Sequence, residues 1–112
     1  MSDNFITGQD IGYSERMLMI CETAVNTFGN FTQTAKAVEE LSELTKALAR
    51  CLQFRSDVAN VKDEIADCLI MICQMITIFG HEGIQEIINE KLFRLEGLIS
   101  KEQNKLEEEK GH

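Results

Sequence analysis

The chain has no proline and no tryptophan, and only seven of its 112 residues are glycine. Neither proline nor glycine occurs between Phe31 and Ile78. These two residues are the strongest helix breakers, so this part of the chain is predicted to form long helices. The length suffices for one small domain. The sequence therefore favours a single all-α domain.

Basic residues are in the minority. Eleven Lys and Arg face nineteen Asp and Glu, which gives a net charge of −8. Nucleic acids and anionic membranes bind basic surfaces, so neither is expected as a partner. An acidic protein can still bind nucleotides when metal ions bridge the negative charges.

A long hydrophobic run is also missing. The most apolar stretch, Cys68 to Phe79, has twelve residues, whereas a membrane-spanning helix needs roughly 20. The first residues are polar and lack the basic start and apolar run of a signal peptide. A cytoplasmic location is therefore expected.

The four cysteines do not form a C-x-x-C pair, and all lie within apolar helical patterns: Cys21, Cys51, Cys68 and Cys73. We predict that they are reduced and buried, as in most intracellular proteins. A zinc site or a disulfide framework is the alternative.

Apolar periodicity predicts four helices. They run from about Ser14 to Phe28, from about Thr32 to Phe54, from the turn at Arg55 to Asp57 on to Phe79, and from about Ile84 to Leu106. Ser14 is the predicted N-cap of the first helix, Gly29-Asn30 its end, and Ser56 or Asp57 the cap of the third. The predicted domain spans residues 13–106. Residues 1–12 are predicted to be a flexible arm, and residues 107–112 a frayed charged tail.

Two apolar stripes are predicted to form the core. On the second helix the stripe consists of Ala37, Leu41, Leu44, Leu48 and Cys51, and on the third of Val58, Val61, Ile65, Leu69, Ile72, Ile76 and Phe79. Beyond Asp67 the third helix is apolar on nearly all sides, and such a helix must be buried all round. We therefore expect an antiparallel four-helix domain whose helices pack further by dimerisation or tetramerisation.

Two acidic pairs flank these stripes, Glu40 with Glu43 and Glu64 with Asp67. Residues three apart on a helix lie about 5–6 Å from each other, so each pair converges. Four nearby carboxylates repel one another unless a cation joins them. Mg²⁺ prefers oxygen ligands, so the pattern predicts a magnesium site. The alternative is a solvated helix face on which Glu39 or Glu43 pairs with Lys46.

A lysine interrupts the apolar face of the fourth helix. A buried ammonium is costly unless it is paired. Lys91 therefore either extends its charged end into water or, together with Arg94 at the edge of the same face, reaches the acidic site or phosphates bound there.

These segments resemble the motifs of the MazG-like all-α NTP pyrophosphohydrolases. Glu39 to Glu43 resembles the E-E-x-x-E motif, and Glu64 to Asp67 resembles the E-x-x-D motif. Asn89 to Arg94 is similar to the N-x-K-x-x-R stretch that follows in that superfamily. The resemblance extends over about residues 14–100.

The resemblance implies a homodimer or homotetramer that hydrolyses nucleoside triphosphates, including non-canonical or deoxynucleotides, to monophosphate and pyrophosphate. Such an enzyme serves house-cleaning or control of nucleotide pools. The implied cofactor is Mg²⁺, with Mn²⁺ as a substitute. Glu40, Glu43, Glu64 and Asp67 match the metal ligands, Glu39 matches an assisting catalytic position, and Lys91 and Arg94 match phosphate-binding positions. Lys36, near Glu40 on the helix, is a further phosphate-binding candidate. The base and sugar stay open, because family members differ in both.

Two other classes of protein contain acidic helices. A di-iron carboxylate bundle requires Glu-x-x-His pairs, and neither His81 nor His112 is placed in one. A non-catalytic helical interaction module, which would bind a basic partner through the acidic face, remains the alternative.

Overall fold

The computed structural model describes residues 13–54 and 57–111, and this part of the chain is all-α. The helices are α1 (Glu15–Phe28), α2 (Asn30–Phe54), α3 (Val58–Phe79) and α4 (Ile84–Lys110). The predicted fold class and number of helices are confirmed. Within the described ranges, no helix is long and apolar enough to cross a membrane. The predicted flexible arm, residues 1–12, lies outside the described residues.

The ends of α1 form as the sequence predicts. The Ser14 hydroxyl oxygen accepts a hydrogen bond from the Met17 amide at 3.1 Å, which satisfies one of the free N–H groups of the first turn. At the other end Gly29 adopts φ 91°, and its N–H donates to the Val25 carbonyl at 2.8 Å. A positive φ of this kind favours glycine, so Gly29 ends α1 and α2 begins at the next residue.

The turn before α3 places Asp57 at the N-cap, one of the two positions predicted for it. Asp57 lies in the left-handed region, with φ 69°, and its side chain makes no capping hydrogen bond. A left-handed residue directs its side chain away from the first-turn amides, whereas a capping residue has an extended backbone. The alternative cap, Ser56, lies outside the described residues.

The described chain falls into two compact units, one ending at His81 and the other beginning at Glu82. The second unit contains α4, in which no residue is buried. This helix continues to Lys110, beyond its predicted end near Leu106 and into the segment predicted to fray. Glu107 accepts the N–H of Gly111 at 3.0 Å, so the last turn is closed by glycine.

In the first unit, α3 packs against both α1 and α2. Tyr13, Cys21 and Cys73 form a small core, to which Met17, Leu18 and Ile76 add partly buried side chains. All four cysteines are free; Cys51 is half-buried, and the other three are buried. The prediction of free, buried cysteines is confirmed for Cys21, Cys68 and Cys73, whereas Cys51 is free but only half-buried.

Two hydrogen bonds show that α2 and α3 are antiparallel. Gln33 Nε2 donates to Gln74 Oε1 at 2.6 Å. Further along, the Cys68 thiol donates to the Glu40 carbonyl at 3.3 Å. An advance of seven residues along α2 thus corresponds to a retreat of six along α3, as expected for helices running in opposite directions.

The faces that α2 and α3 turn inward differ from the predicted core stripes. The buried side chains of α2 are Gln33, Ala37 and Ala47, which are polar or small. Most of the large aliphatic residues of the predicted stripes are exposed: Leu41, Leu48, Val58, Ile65, Leu69, Ile72 and Phe79. The predicted stripes are therefore wrong at these positions. Glu40 on α2 meets Glu64 and Asp67 of α3, so the acidic positions lie where the two helices face each other.

Candidate metal centre

Three carboxylates from two helices converge. Glu40 on α2 and Glu64 and Asp67 on α3 each offer one oxygen, and these oxygens all lie within 4.8 Å of one another. All three side chains are half-buried. The antiparallel pairing of α2 and α3 thus brings one member of the first predicted acidic pair to both members of the second.

The fourth predicted ligand lies outside this group of three. The Lys46 ammonium donates to Glu43 Oε1 at 3.4 Å, in a pair that water reaches on both sides. Exposed pairs of this kind contribute little stability. This contact is the alternative that the sequence left open for Glu43. Its carboxylate is still close enough to raise the pKa of Glu64.

The remaining predicted site residues are exposed. Glu39 and Lys36 lie on α2. The positive charge of Lys36 acts on Glu40, whose pKa it lowers against the larger opposing effects. Lys91 and Arg94 lie on α4, which belongs to the second unit, and both are exposed there.

The positive charge near the cluster is too small to balance its carboxylates, as the raised pKa values of Glu40 and Glu64 indicate. Burial raises the pKa of Glu40 most, followed by its hydrogen bond with Asp67 and by the charge of Asp67. Burial also raises the pKa of Glu64, and the charges of Asp67, Asp63 and Glu43 raise it further. These shifts have the direction expected for carboxylates that repel one another, and a cation between them would relieve that repulsion.

One oxygen of the cluster has no partner. Glu64 Oε2 is buried and accepts no hydrogen bond from any residue that the structure describes. A buried acceptor without a partner is unfavourable, and more so when it is charged. Native proteins seldom leave such an atom unpaired, unless an ion or water satisfies it.

A divalent cation fits this site. All the converging donors are carboxylate oxygens, the ligands that Mg²⁺ and Mn²⁺ prefer over nitrogen or sulfur. Cys68 lies next to the cluster, but burial, followed by the charges of Glu40, Glu64 and Asp67, raises its thiol pKa. In the structure this thiol donates a hydrogen bond to the Glu40 carbonyl at 3.3 Å.

Sequence reasoning missed Cys68, Gln33 and Gln74 as neighbours of the site. A usable signal was present. Gln33 stands seven residues before Glu40, and Gln74 stands seven residues after Asp67. Seven residues are close to two helical turns, so each glutamine shares a helix face with a carboxylate of the cluster.

The stability of the metal-free protein is expected to depend on the ionisation of this cluster. The folded-state pKa values of Glu40 and Glu64 lie above the ordinary value of 4.5. The folded protein then retains protons that the unfolded chain releases, so stability falls as pH rises from about 4.5 through the raised values. Urea denaturation in a chelator, from pH 4.5 to 8, should show this fall in the wild type and a smaller one in Glu40→Gln. Equal pH dependence in the two proteins would contradict it.

Comparisons of the chain with protein-family models, curated proteins and solved structures gave no match. The four helices and the acidic cluster therefore have to be interpreted from their own chemistry.

Proposed function

We propose that this protein is a metal-dependent nucleoside triphosphate pyrophosphohydrolase, of the kind that the MazG-like motifs suggest. The observation that supports the proposal best is the convergence of Glu40, Glu64 and Asp67, together with the unpaired buried oxygen of Glu64. Mg²⁺, or Mn²⁺ in its place, would satisfy all three carboxylates. Glu43, one turn along from Glu40, is the proposed fourth ligand.

In the proposed reaction, water adds to a phosphorus of the triphosphate and the P–O bond to the leaving pyrophosphate breaks. A bound Mg²⁺ would supply charge stabilisation at the phosphoryl oxygens. Glu39, exposed and next to Glu40 in the sequence, is the proposed acceptor that orients the attacking water. Lys36, Lys91 and Arg94 are the proposed partners of the phosphates, where they would balance the charge that develops on pyrophosphate.

The proposed active form is a homodimer or homotetramer. The exposed aliphatic residues of α2 and α3 support this proposal, because a large apolar surface on a small domain usually marks an interaction site. Leu41 and Leu48 on α2 and Ile65 and Leu69 on α3 are between 42% and 48% exposed. A second copy would cover residues that the chain leaves in water.

The direct test of this function is pyrophosphate release from a panel of NTPs and dNTPs with Mg²⁺. We expect hydrolysis of at least one of them to monophosphate and pyrophosphate, loss of activity in EDTA, and recovery with Mg²⁺ or Mn²⁺. The panel also reports the preferred base and sugar. Release of inorganic phosphate in place of pyrophosphate would contradict the reaction type.

A non-catalytic interaction module is the second candidate, and the same exposed aliphatic surface favours it. Thermal unfolding distinguishes the two. A nucleotide that raises the melting temperature only in the presence of Mg²⁺ supports the hydrolase. The absence of any shift across the panel, together with no pyrophosphate release, would support the module.

A further inference from the structure

Several buried side chains of α2 and α3 on either side of the acidic cluster are small. Ala37 and Ala47 on α2 and Cys68 on α3 are buried there. Small residues allow close approach, but they interlock weakly, so they do little to distinguish one helix register from another shifted by a turn of 5.4 Å. The three carboxylates do not specify the register either, because their mutual repulsion favours separation when no metal is bound.

A buried pair of amide side chains can specify the register between α2 and α3, which the small residues do not. Gln33 is 8% exposed and Gln74 is 5% exposed, and they form the 2.6 Å hydrogen bond across the two helices. The Gln74 amide nitrogen also contacts Met71 Sδ at 3.7 Å. A one-turn shift of α2 along α3 would separate the two amides and leave both buried without their partner. Such a shift carries the full desolvation penalty of both groups.

The amide pair and the acidic cluster share the same faces of the same helices. Gln33 precedes Glu40 by seven residues, and Gln74 follows Asp67 by seven residues. Each interval is close to two turns, and the helices are antiparallel, so the two contacts are in register with each other. Any shift that breaks the Gln33–Gln74 bond also moves Glu40 away from Asp67.

We propose that Gln33 and Gln74 are positioning residues for the metal site: their hydrogen bond fixes the α2–α3 register in which Glu40 meets Glu64 and Asp67. This inference rests on the proposed function, because it assumes that the cluster holds a divalent cation. A single buried polar pair that selects register is well established in helical bundles. In this protein the register that the amide pair selects would also bring the three proposed metal ligands together.

The test is the double variant Gln33→Leu/Gln74→Leu, studied as the full chain with Mn²⁺ as the probe. Leucine is close to glutamine in size, and replacing both partners of a buried hydrogen bond with apolar groups can be neutral or stabilising. We therefore expect the metal-free variant to be at least as resistant to urea as the wild type. We expect its Mn²⁺ affinity, measured by calorimetric titration, to fall about tenfold or more, as for other groups that orient metal ligands.

Gln53→Leu is the matched control, because Gln53 is an exposed glutamine on the same helix. It should change neither urea resistance nor Mn²⁺ affinity. The single variant Gln33→Leu removes the donor to Gln74 Oε1 and leaves that oxygen buried without a hydrogen bond. This variant should therefore lose both stability and Mn²⁺ affinity. If the Gln33–Gln74 hydrogen bond served stability alone, its loss would change urea resistance but not Mn²⁺ affinity. Wild-type Mn²⁺ affinity in the double variant would therefore overturn the inference.

A second measurement separates this inference from the proposed function. Failure of the wild type to bind Mn²⁺ would overturn the metal site itself. The register is then read in the metal-free protein from nuclear Overhauser contacts between Cys68 and Glu40, which the 3.3 Å thiol–carbonyl contact brings together. Loss or multiplication of these contacts in the double variant supports the positioning role of the amide pair. Unchanged contacts overturn it.

Discussion

Replacing Glu40 with Gln and Asp67 with Asn is expected to abolish Mg²⁺-dependent nucleotide hydrolysis. The double variant removes two of the three converging carboxylates, one from each helix. Metal ions supply several kcal/mol of transition-state stabilisation in phosphoryl chemistry, which corresponds to about a thousandfold or more in rate. Pyrophosphate release under single-turnover conditions gives the measurement.

The same variant should unfold less readily than the wild type when metal is absent. It removes the repulsion and desolvation that raise the pKa of Glu40, so loss of activity would not reflect loss of folding. Glu22→Gln/Glu102→Gln is the control, because it changes the net charge equally at two exposed positions on α1 and α4. Activity retained by Glu40→Gln/Asp67→Asn would refute the ligand assignment.

Leu69→Asp is expected to dissociate the proposed oligomer. Leu69 lies on α3, 48% exposed in the single chain, beside other exposed aliphatic side chains. A central apolar anchor contributes about 2 kcal/mol or more to an interface, or about 30-fold in the dissociation constant, and a buried aspartate adds a desolvation penalty. Sedimentation velocity at a series of concentrations measures the change.

The control for this variant is Leu52→Asp. Leu52 is 85% exposed near the end of α2, so a charge there should leave the association unchanged. A wild-type protein that stays monomeric at tens of micromolar would contradict the proposed oligomer. Equal dissociation by both variants would show that Leu69 is not part of a defined interface.

The sequence predicted the helices well, because their limits depend on local interactions. Ser14 supplies a capping hydroxyl, Gly29 takes the positive φ that ends a helix, and nothing between Phe31 and Ile78 breaks one. The end of α4 was harder to predict from the sequence. Its charged residues up to Lys110 have no apolar periodicity, yet they remain helical because glutamate and lysine are good helix formers.

The orientation of the helices could be predicted only in part. Periodicity identified the aliphatic stripe that contains Leu41 and Leu48, but it could not distinguish contact within the chain from a surface left for another molecule. The inner face depends on backbone approach, which Ala37 and Ala47 permit. That information lies in the pairing of α2 with α3 and not in either helix alone.

The candidate site was predictable where it depended on helical spacing. Glu64 and Asp67 are three residues apart on one helix, so their proximity follows from the sequence. Their meeting with Glu40 needed the register between helices, which is a tertiary property. Glu43 shows the limit of spacing, because in the structure it contacts Lys46 on its own helix.

The unpaired oxygen of Glu64 has a consequence for discrimination between ions. Its carboxylate lies on α3, which is joined to α2 by the Gln33–Gln74 hydrogen bond, and it faces only two further carboxylates. Ca²⁺ takes six to eight oxygens at about 2.3–2.6 Å in a flexible shell, whereas Mg²⁺ accepts a few protein oxygens at about 2.0–2.1 Å and keeps its waters. The proposed site offers few protein oxygens, so we expect it to bind Mg²⁺ in preference to Ca²⁺.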